Sequence, residues 1–283
     1  MTDENPGESI YNDRGILSFW IMNKIYNENC LDTMSRMKDD FIDLTVTSPP
    51  YENLRTYNGY SFDFESIAKE LYRVTKEGGV VVWVVGDATL KGSESGNSFR
   101  QALYFMECGF NLHDTMIYSK NSVPLTHNRY EQDFEYMFIF SKSKPKTFNA
   151  ILIDKIYKDN RVNTSMKRDK KGNFSKGFRS DKKQKIKGNI WRYSVGGGIS
   201  TKDKIAFKHP AIFPEKLVND HIISWSNEGD LVYDCFMGSG TTAKMSILNK
   251  RNYIGSEISE EYVDIANKRI KQYKIQYSLL WIK

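Results

Sequence analysis

A chain of 283 residues with 40% apolar side chains can bury a substantial core, in one large domain or in one domain with an insertion. Three separated cysteines (Cys30, Cys108 and Cys235) and only four histidines argue against a disulfide framework and a zinc site, so we predict no metal and a reducing compartment. The net charge is +6. The N-terminal apolar run, residues 16–22, is too short to span a membrane, which predicts a cytoplasmic protein with no membrane partner.

The first half of the chain alternates between predicted strands and helices, which is typical of an α/β fold. Residues 1–21 show no clear periodicity and form an N-terminal extension to which we assign no role. Apolar spacing then predicts strands over 24–26, 41–46, 80–85, 112–118 and 136–140, and helices over 31–37, 64–74 and 99–108. The second of these helices is predicted to end at Gly78 and Gly79, because glycine is common at helix C-termini.

The strand over 41–46 runs into Thr47-Ser48-Pro49-Pro50-Tyr51 and stops there, because proline fixes φ and donates no ladder hydrogen bond. Ligands bind at this carboxyl end of the strands in open α/β sheets. The Ser48 hydroxyl and the carbonyl between the prolines can accept both hydrogens of an amino group, while the Tyr51 ring can stack on a flat base. An ordinary turn ending in tyrosine is the alternative, and this loop alone does not decide between them.

Segment 143–208 breaks the α/β pattern and carries most of the positive charge. Residues 155–192 contain 14 Lys and Arg against three Asp, which is +11 and leaves −5 for the remainder. Aromatic residues lie among these cations, which favours a nucleic-acid surface, and a disordered basic linker is the alternative. The candidate DNA-binding cations are Lys167, Arg168, Lys170, Lys171, Arg179, Lys182, Lys183 and Arg192.

Regular structure resumes at residue 209. Pro214 suits the first turn of a helix that runs to Trp225, and residues 230–234 form the next strand. That strand leads into a glycine turn and a helix over 243–248, and the chain closes with a helix over 260–273.

The glycine turn is the second motif that points to a ligand. Asp234 ends its strand, Gly238-Ser239-Gly240 follows, and the acid Glu257 lies 17 positions beyond Gly240, at the end of the next strand. This construction lets a nucleotide-like ligand approach the backbone, and the second acid can accept ribose hydroxyls. Because the chain lacks both the Gly-Lys-Thr of a phosphate loop and the third glycine of a dinucleotide site, an adenosine ligand without a pyrophosphate fits best, and S-adenosylmethionine is the candidate.

The two motifs in this order closely resemble the beta class of amino-directed DNA methyltransferases, over residues 22–274. The resemblance implies an α/β, Rossmann-like S-adenosylmethionine-dependent methyltransferase fold that is circularly permuted and carries an inserted basic target-recognition region. Its implied divisions are a catalytic half over 22–142, a target-recognition insert over 143–208 and a cofactor-binding half over 209–283.

The resemblance also implies roles for matching residues. The catalytic loop that holds a flipped base is Ser48, Pro49, Pro50 and Tyr51. The implied cofactor contacts are Asn29, Cys30, His209, Pro210, Phe213, Pro214, Asp234, Phe236, Gly238, Ser239, Gly240, Thr241, Thr242 and Glu257. Two positions depart from the family pattern, since Asn29 stands where aspartate is common and Cys235 where proline is usual.

The implied reaction is methylation of an exocyclic amino group in double-stranded DNA. A serine at the first loop position favours N4 of cytosine, and N6 of adenine is the alternative. Methylation at carbon 5 of cytosine is disfavoured, because Asn29, Glu107 and Asp234 precede the cysteines where that family has proline. More distant alternatives are an RNA or protein-glutamine methyltransferase and an inactive DNA-binding module. A cognate restriction endonuclease is a candidate partner, and the chain could be a monomer or a homodimer.

Overall fold

A computed structural model describes residues 10–11, 17–18, 22–50, 62–121, 130–155, 166–176 and 183–280. The chain divides into two compact units. The main unit comprises Met1–Asn149 and Asn189–Lys283, and the small unit comprises Ala150–Gly188.

The main unit is built on one sheet, which has eight strands within the described residues. They are β1 (Lys24–Asn27), β2 (Ile42–Thr47), β3 (Thr75–Val85), β4 (Asn111–Ser119), β5 (Phe134–Ser141), β6 (Ile190–Arg192), β7 (Leu231–Asp234) and β8 (Asn252–Glu257). Their order in the sheet is β6-β4-β5-β3-β2-β7-β8-β1. Strand β5 is antiparallel to β3 and β4, and the other pairs are parallel. The carboxyl ends of the parallel strands and the start of β5 therefore meet at one edge.

Helices of the main unit connect these strands, and the last helix follows β8. They are α1 (Cys30–Ser35), α2 (Phe64–Val74), α3 (Asn97–Glu107), α4 (Glu215–Trp225), α5 (Thr241–Leu248) and α6 (Glu260–Leu280), with a 3₁₀ turn over Lys204–Lys208. Two pairs of short antiparallel strands complete the described elements of this unit: Ile10–Tyr11 with Leu17–Ser18, and Thr89–Leu90 with Ser93–Glu94.

The small unit contains two short antiparallel ladders. Strand Leu152–Asp154 pairs with Gln184–Ile186, and Met166–Arg168 pairs with Phe174–Lys176. Several of its apolar side chains are exposed, among them Leu152, Phe174 and Ile186. This unit therefore buries little core of its own.

The core lies around β3, whose residues 80–85 are buried and mostly valine, as expected for a central strand covered on both faces. On one face Val81, Trp83 and Val85 pack into an apolar cluster with side chains of α1, α2 and α3. A second cluster joins α5 and α6 to β1 and β8. This core fixes the strand ends that carry the polar loops.

Gly78 and Gly79 do not end a helix as predicted. Helix α2 ends at Val74, and both glycines lie inside β3, near the register shift that separates the pairs Ile42–Thr75 and Leu44–Val80. A Cβ on Gly79 would lie 3.0 Å from the Asp43 carbonyl oxygen, so glycine is needed here for the close approach of two strands.

The predicted insert 143–208 is longer than the small unit. Ile190–Arg192 forms edge strand β6 of the main sheet, parallel to β4. Trp191 and Tyr193, two aromatic residues of the predicted insert, are buried in the main unit and are not exposed as a nucleic-acid surface would require. A three-residue edge strand is too short to show periodicity in the sequence, which explains both differences. The function assigned to the insert stays a prediction.

Among the residues that the structure describes, none of the helices is long and apolar enough to cross a bilayer. No group of three or more His, Cys, Asp and Glu residues in the same part of the chain could hold a metal ion.

One hydrogen bond in this core gives a test of the packing. The buried Trp83 indole N–H donates to Gln101 Oε1 at 2.9 Å. We expect Gln101→Ala to lower the free energy of unfolding by about 1–3 kcal/mol, because the indole N–H would stay buried without an acceptor. Gln272→Ala, at an exposed position of α6, is the control and should change it by less than about 0.5 kcal/mol. Urea denaturation measures both, and equal midpoints for the two variants would contradict the assignment.

Candidate active site

A cleft of about 220 Å³ opens at the carboxyl edge of the main sheet. Three segments of the chain contribute most of its lining: the end of β2, the turn before α4 and the glycine loop after β7. The lining residues are Ser48, Pro49, Tyr118, Lys120, Glu135, Val195, Pro210, Ala211, Ile212, Phe213, Pro214, Asp234, Phe236, Met237, Gly238, Ser239 and Thr241. The two sequence motifs, nearly 200 residues apart, thus share one cavity.

Asp234 joins these two motifs physically. Its Oδ1 accepts hydrogen bonds from Thr47 Oγ1 at 2.7 Å and from the Phe236 backbone N–H at 3.0 Å, and its Oδ2 accepts from Thr242 Oγ1 at 2.6 Å. Burial raises the pKa of the Asp234 carboxyl, and these hydrogen bonds oppose that rise. Both carboxylate oxygens are thus occupied by protein donors, so Asp234 fastens the end of β2 to the glycine loop and to α5.

The glycine loop needs its glycines for two physical reasons. Gly238 and Gly240 have φ of +49° and +80°, a region that L side chains rarely adopt. A Cβ on Gly238 would lie 3.0 Å from His209 Nε2, and a Cβ on Gly240 would lie 2.9 Å from Ala266 Cβ. The loop therefore presents bare backbone to the cleft and lets α6 pack closely behind it.

Glu257 holds this loop from β8. Its Oε2 accepts from the Gly238 N–H and its Oε1 from the Ser259 N–H, both at 2.9 Å. Burial raises the pKa of Glu257, although the backbone donors oppose the rise. A carboxylate has about four lone-pair sites, so beside its backbone donors Glu257 keeps capacity for a ligand hydroxyl.

A buried ion-pair network braces the other side of the loop. Arg269 on α6 donates to the Ser239 carbonyl and to Thr241 Oγ1, both at 2.9 Å. Arg269 and Lys244 each contact the carboxylates of Asp203 and Glu215. Burial opposes ionisation of Asp203, but hydrogen bonds from Lys244 and Arg269 hold its pKa below the usual value. Two cations and two anions therefore balance inside the protein.

Sequence reasoning missed this network. Arg269 and Lys244 lie within predicted helices, and nothing in the spacing of either residue indicates burial. Asp203 falls inside segment 143–208, which we interpreted as an insert. No local sequence pattern indicates this network, because its four residues are distant in sequence and meet only in the folded protein.

Other predicted cofactor residues lie outside the cleft lining. Asn29 caps α1, its Oδ1 accepting from the Leu31 N–H at 2.9 Å. Cys30 is buried in the core, where burial raises the pKa of its thiol to about 12. His209 packs its ring edge-on against Tyr262, with centroids 4.3 Å apart. Gly240, Thr242 and Glu257 support the loop as described above.

The catalytic loop is described in part. Ser48 and Pro49 line the cleft, Pro50 is not among its lining residues, and Tyr51 lies outside the described residues. Next to Asp234 in the sequence, the buried Cys235 thiol donates to Thr47 Oγ1 at 3.6 Å. Burial raises the pKa of Cys235 well above its usual value, which disfavours the thiolate that a nucleophilic cysteine requires.

The candidate DNA-binding cations fall into three groups. Arg168, Lys170, Lys171 and Lys183 are exposed on the small unit. Arg192 is exposed on β6 of the main unit. Arg179, Lys182 and the side chain of Lys167 lie outside the described residues.

Seven cleft residues were not predicted. Ala211, Ile212 and Met237 adjoin predicted contacts in the sequence, whereas Tyr118, Lys120, Glu135 and Val195 do not. Tyr118 and Lys120 stand at the end of β4, and Glu135 stands at the start of the antiparallel strand β5. Their meeting depends on strand pairing, which the local sequence does not reveal.

Comparison with solved structures places this fold. The PvuII DNA methyltransferase (cytosine-N4-specific) superposes with a TM-score of 0.65 at 22% identity, over 90% of this chain and 91% of that one. The M1.HpyAVI–SAM complex superposes with a TM-score of 0.58 at 23% identity, over 87% and 98%. The predicted Rossmann-like methyltransferase fold is confirmed.

Comparison of sequences gives the family. A family model for DNA methylases, N6_N4_Mtase, matches residues 42–268. The chain is 64% identical over 247 residues to the orphan methyltransferase M.BamHII of Bacillus amyloliquefaciens, covering 84% of this chain and 91% of that protein. It is 28% identical over 270 residues to the type II methyltransferase M1.MboII of Moraxella bovis, covering 90% and 98%. The predicted resemblance is thereby confirmed, and the chain belongs to the N6_N4_Mtase family of DNA methylases.

Proposed function

We propose that this DNA methylase transfers a methyl group from S-adenosylmethionine to N4 of a cytosine flipped out of double-stranded DNA. The observation that carries the proposal is the shared cleft, in which Ser48 and Pro49 face the glycine loop and are tied to it through Asp234. Methyl transfer requires an acceptor and a donor at contact distance in one cavity, and this junction provides a fixed separation between their two sites.

The residues of the cleft fit S-adenosylmethionine. Gly238 and Ser239 expose backbone at one wall, and the Glu257 carboxylate behind Gly238 keeps lone pairs for ribose hydroxyls. Pro210 and Phe213 on the turn before α4 supply apolar surface beside it. When bound, this cofactor supplies an electrophilic methyl group on a positively charged sulfur. Two of the similar solved structures are complexes of M1.HpyAVI and of TTHA0409 from Thermus thermophilus with it.

Ser48 acts on the amino group of the base. The lone pair of that nitrogen is delocalised into the aromatic ring, so the group is planar and weakly nucleophilic. Hydrogen bonds from its two hydrogens to Ser48 Oγ and to the carbonyl between Pro49 and Pro50 favour a pyramidal nitrogen and aim its lone pair across the cleft. The methylated nitrogen then releases one proton to water.

Cytosine is proposed on the identity of one residue. Serine at position 48 resembles the N4-cytosine members of the family, whereas N6-adenine members commonly have aspartate there. Adenine remains the second candidate, since both bases carry an amino group beside a ring nitrogen.

The DNA contact is proposed for the basic small unit. Arg168, Lys170, Lys171 and Lys183 are exposed there and can neutralise phosphates, which would make binding strongly salt-dependent. Arg192 on the main unit is a further candidate. A 64% identical relative is named an orphan methyltransferase, which favours an enzyme that acts without the predicted restriction endonuclease. Cytoplasmic location and a monomeric or homodimeric state remain predictions.

The proposed reaction is tested by identifying the methylated nucleoside. The protein is incubated with unmethylated DNA and isotope-labelled S-adenosylmethionine, and the DNA is digested and separated by mass spectrometry. We expect the label in N4-methylcytosine. Label in N6-methyladenine would overturn the choice of base, and label in no DNA nucleoside would overturn the proposed function.

We expect Ser48→Ala to reduce kcat by about 10²-fold or more, a loss comparable to removing one preorganised hydrogen-bonding group from an active site. Affinity for S-adenosylmethionine should stay within about twofold, because Ser48 acts on the base. Ser93→Ala, at an exposed position outside the cleft, is the matched control. Single-turnover kinetics follows turnover, and calorimetric titration measures the affinity for S-adenosylmethionine. Unchanged turnover in Ser48→Ala would refute the role of Ser48.

Gly238→Ala tests the glycine loop. The variant must adopt a positive φ, at a cost of about 1–2 kcal/mol, and must also displace His209. Gly92 has φ of +81°, and a Cβ there would meet nothing within 4 Å, so Gly92→Ala carries the backbone cost alone. We expect S-adenosylmethionine affinity to fall at least about tenfold, or 1.4 kcal/mol, in Gly238→Ala only. An equal effect in both variants would show that the loop does not shape the site.

A further inference from the structure

The cleft has a further wall, which the proposed function does not use. It consists of Tyr118 and Lys120 at the end of β4 and Glu135 at the start of β5. Tyr118 and Glu135 are direct partners in the antiparallel register, and the Lys120 backbone N–H donates to the Asp133 carbonyl at 2.7 Å. The wall is therefore part of the rigid sheet.

Lys120 and Glu135 form an ion pair on this wall, with side chains 23% and 15% exposed. A half-buried pair in a cleft needs an explanation, because removing two charges from water is costly. Glu135 also leans over the end of β3, where its Cγ lies 3.3 Å from the position of a Cβ on Gly86. Since β3 is the neighbour of β2, the absence of a side chain at Gly86 lets the pair reach toward the strand that carries Ser48.

The Tyr118 hydroxyl group is a second indication that this wall binds a ligand. The residue is 3% exposed, and its oxygen has no hydrogen-bond partner among the residues that the structure describes. Burial keeps this phenol neutral by raising its pKa. Buried polar atoms are normally paired, so an unpaired one beside a cleft needs an explanation, and a bound ligand or water molecule would supply it. The wall thus offers more hydrogen-bonding capacity than its described protein neighbours use.

We propose that Lys120, oriented by Glu135, donates a hydrogen bond to the ring nitrogen adjacent to the amino-bearing carbon of the flipped base. That atom is N3 in cytosine and N1 in adenine, an acceptor in both. Thymine and guanine carry an N–H at the corresponding positions, which an ammonium group cannot accept. This inference rests on the proposed function and adds recognition of the base to it.

Glu135 has a second consequence for this contact. Positive charge develops on the amino nitrogen as the methyl group arrives, and an isolated ammonium beside it would oppose the reaction. The Glu135 carboxylate offsets that charge while leaving the other ammonium hydrogens of Lys120 for the base. Lys120 is thus a base-binding residue, and its removal should affect affinity and KM more than kcat.

The test pairs a protein variant with a base analogue. Once the target site is known, oligonucleotides carry at the target position either the normal base or its deaza analogue, 3-deazacytosine or 1-deazaadenine, in which carbon replaces the ring nitrogen. Wild type and Lys120→Met are compared for DNA affinity without cofactor and for kcat/KM. We expect each single change to lower kcat/KM by about 10- to 100-fold, as for a hydrogen bond to a charged group. The two changes together should lower kcat/KM no further than either change alone.

If the losses of kcat/KM from the protein change and the base change multiply, the assignment is overturned. It is also overturned if Lys120→Met distinguishes the normal base from its deaza analogue as strongly as wild type does. Lys76→Met is the matched control, because Lys76 forms an ion pair with Asp43 at the start of β3, away from the cleft. Gly86→Ala is a second variant that removes no polar group but must displace Glu135, and it should weaken the preference for the normal base. A wild type without activity on DNA would refute the proposed function itself, whereas an active wild type with multiplied losses would refute only the role of Lys120.

Discussion

The structure depends on one buried carboxylate. Asp234 is removed from water, and three donors from two distant parts of the chain compensate its oxygens. Losing any of them would leave a buried charge under-compensated, so the end of β2 and the glycine loop are held in one arrangement. The order in which the two motifs occur along the chain does not affect this contact, because β2 and β7 are neighbours in the sheet.

The ion-pair network on the opposite side of the glycine loop works by the same principle. Arg269 binds the Ser239 carbonyl while its charge is balanced by Asp203 and Glu215. Such buried pairs add little net stability compared with apolar packing, but they permit few alternative arrangements. The glycine loop is thus held by Asp234, Glu257 and Arg269 from three different elements, which suits a loop that must present bare backbone in a conformation that only glycine adopts readily.

Local sequence signals predicted the α/β alternation and both motifs, because the strands near Ser48 and Asp234 are apolar and end in abrupt polar turns, and the family resemblance supplied the methyltransferase fold. They failed where one signal has two physical meanings. Gly79 could end a helix or relieve crowding between strands, and only the pairing of β2 with β3 decides. Trp191 could stack on a base or fill the core, and its burial follows from a three-residue strand at the sheet edge. The Lys120 wall required an antiparallel pairing that no short stretch encodes.

The arrangement of the cleft also bears on how cytosine and adenine are told apart. Cytosine and adenine share an amino group and the adjacent ring acceptor, and those are the two features that Ser48 and Lys120 would contact. Contacts to the shared features bind both bases alike, so they supply affinity without discrimination. Discrimination must come from groups that meet the rest of the base, where cytosine has a carbonyl oxygen and adenine has a second ring. Discrimination between cytosine and adenine therefore belongs to cleft groups other than Ser48 and Lys120 and to the width of the cleft, with which the identity of residue 48 is correlated.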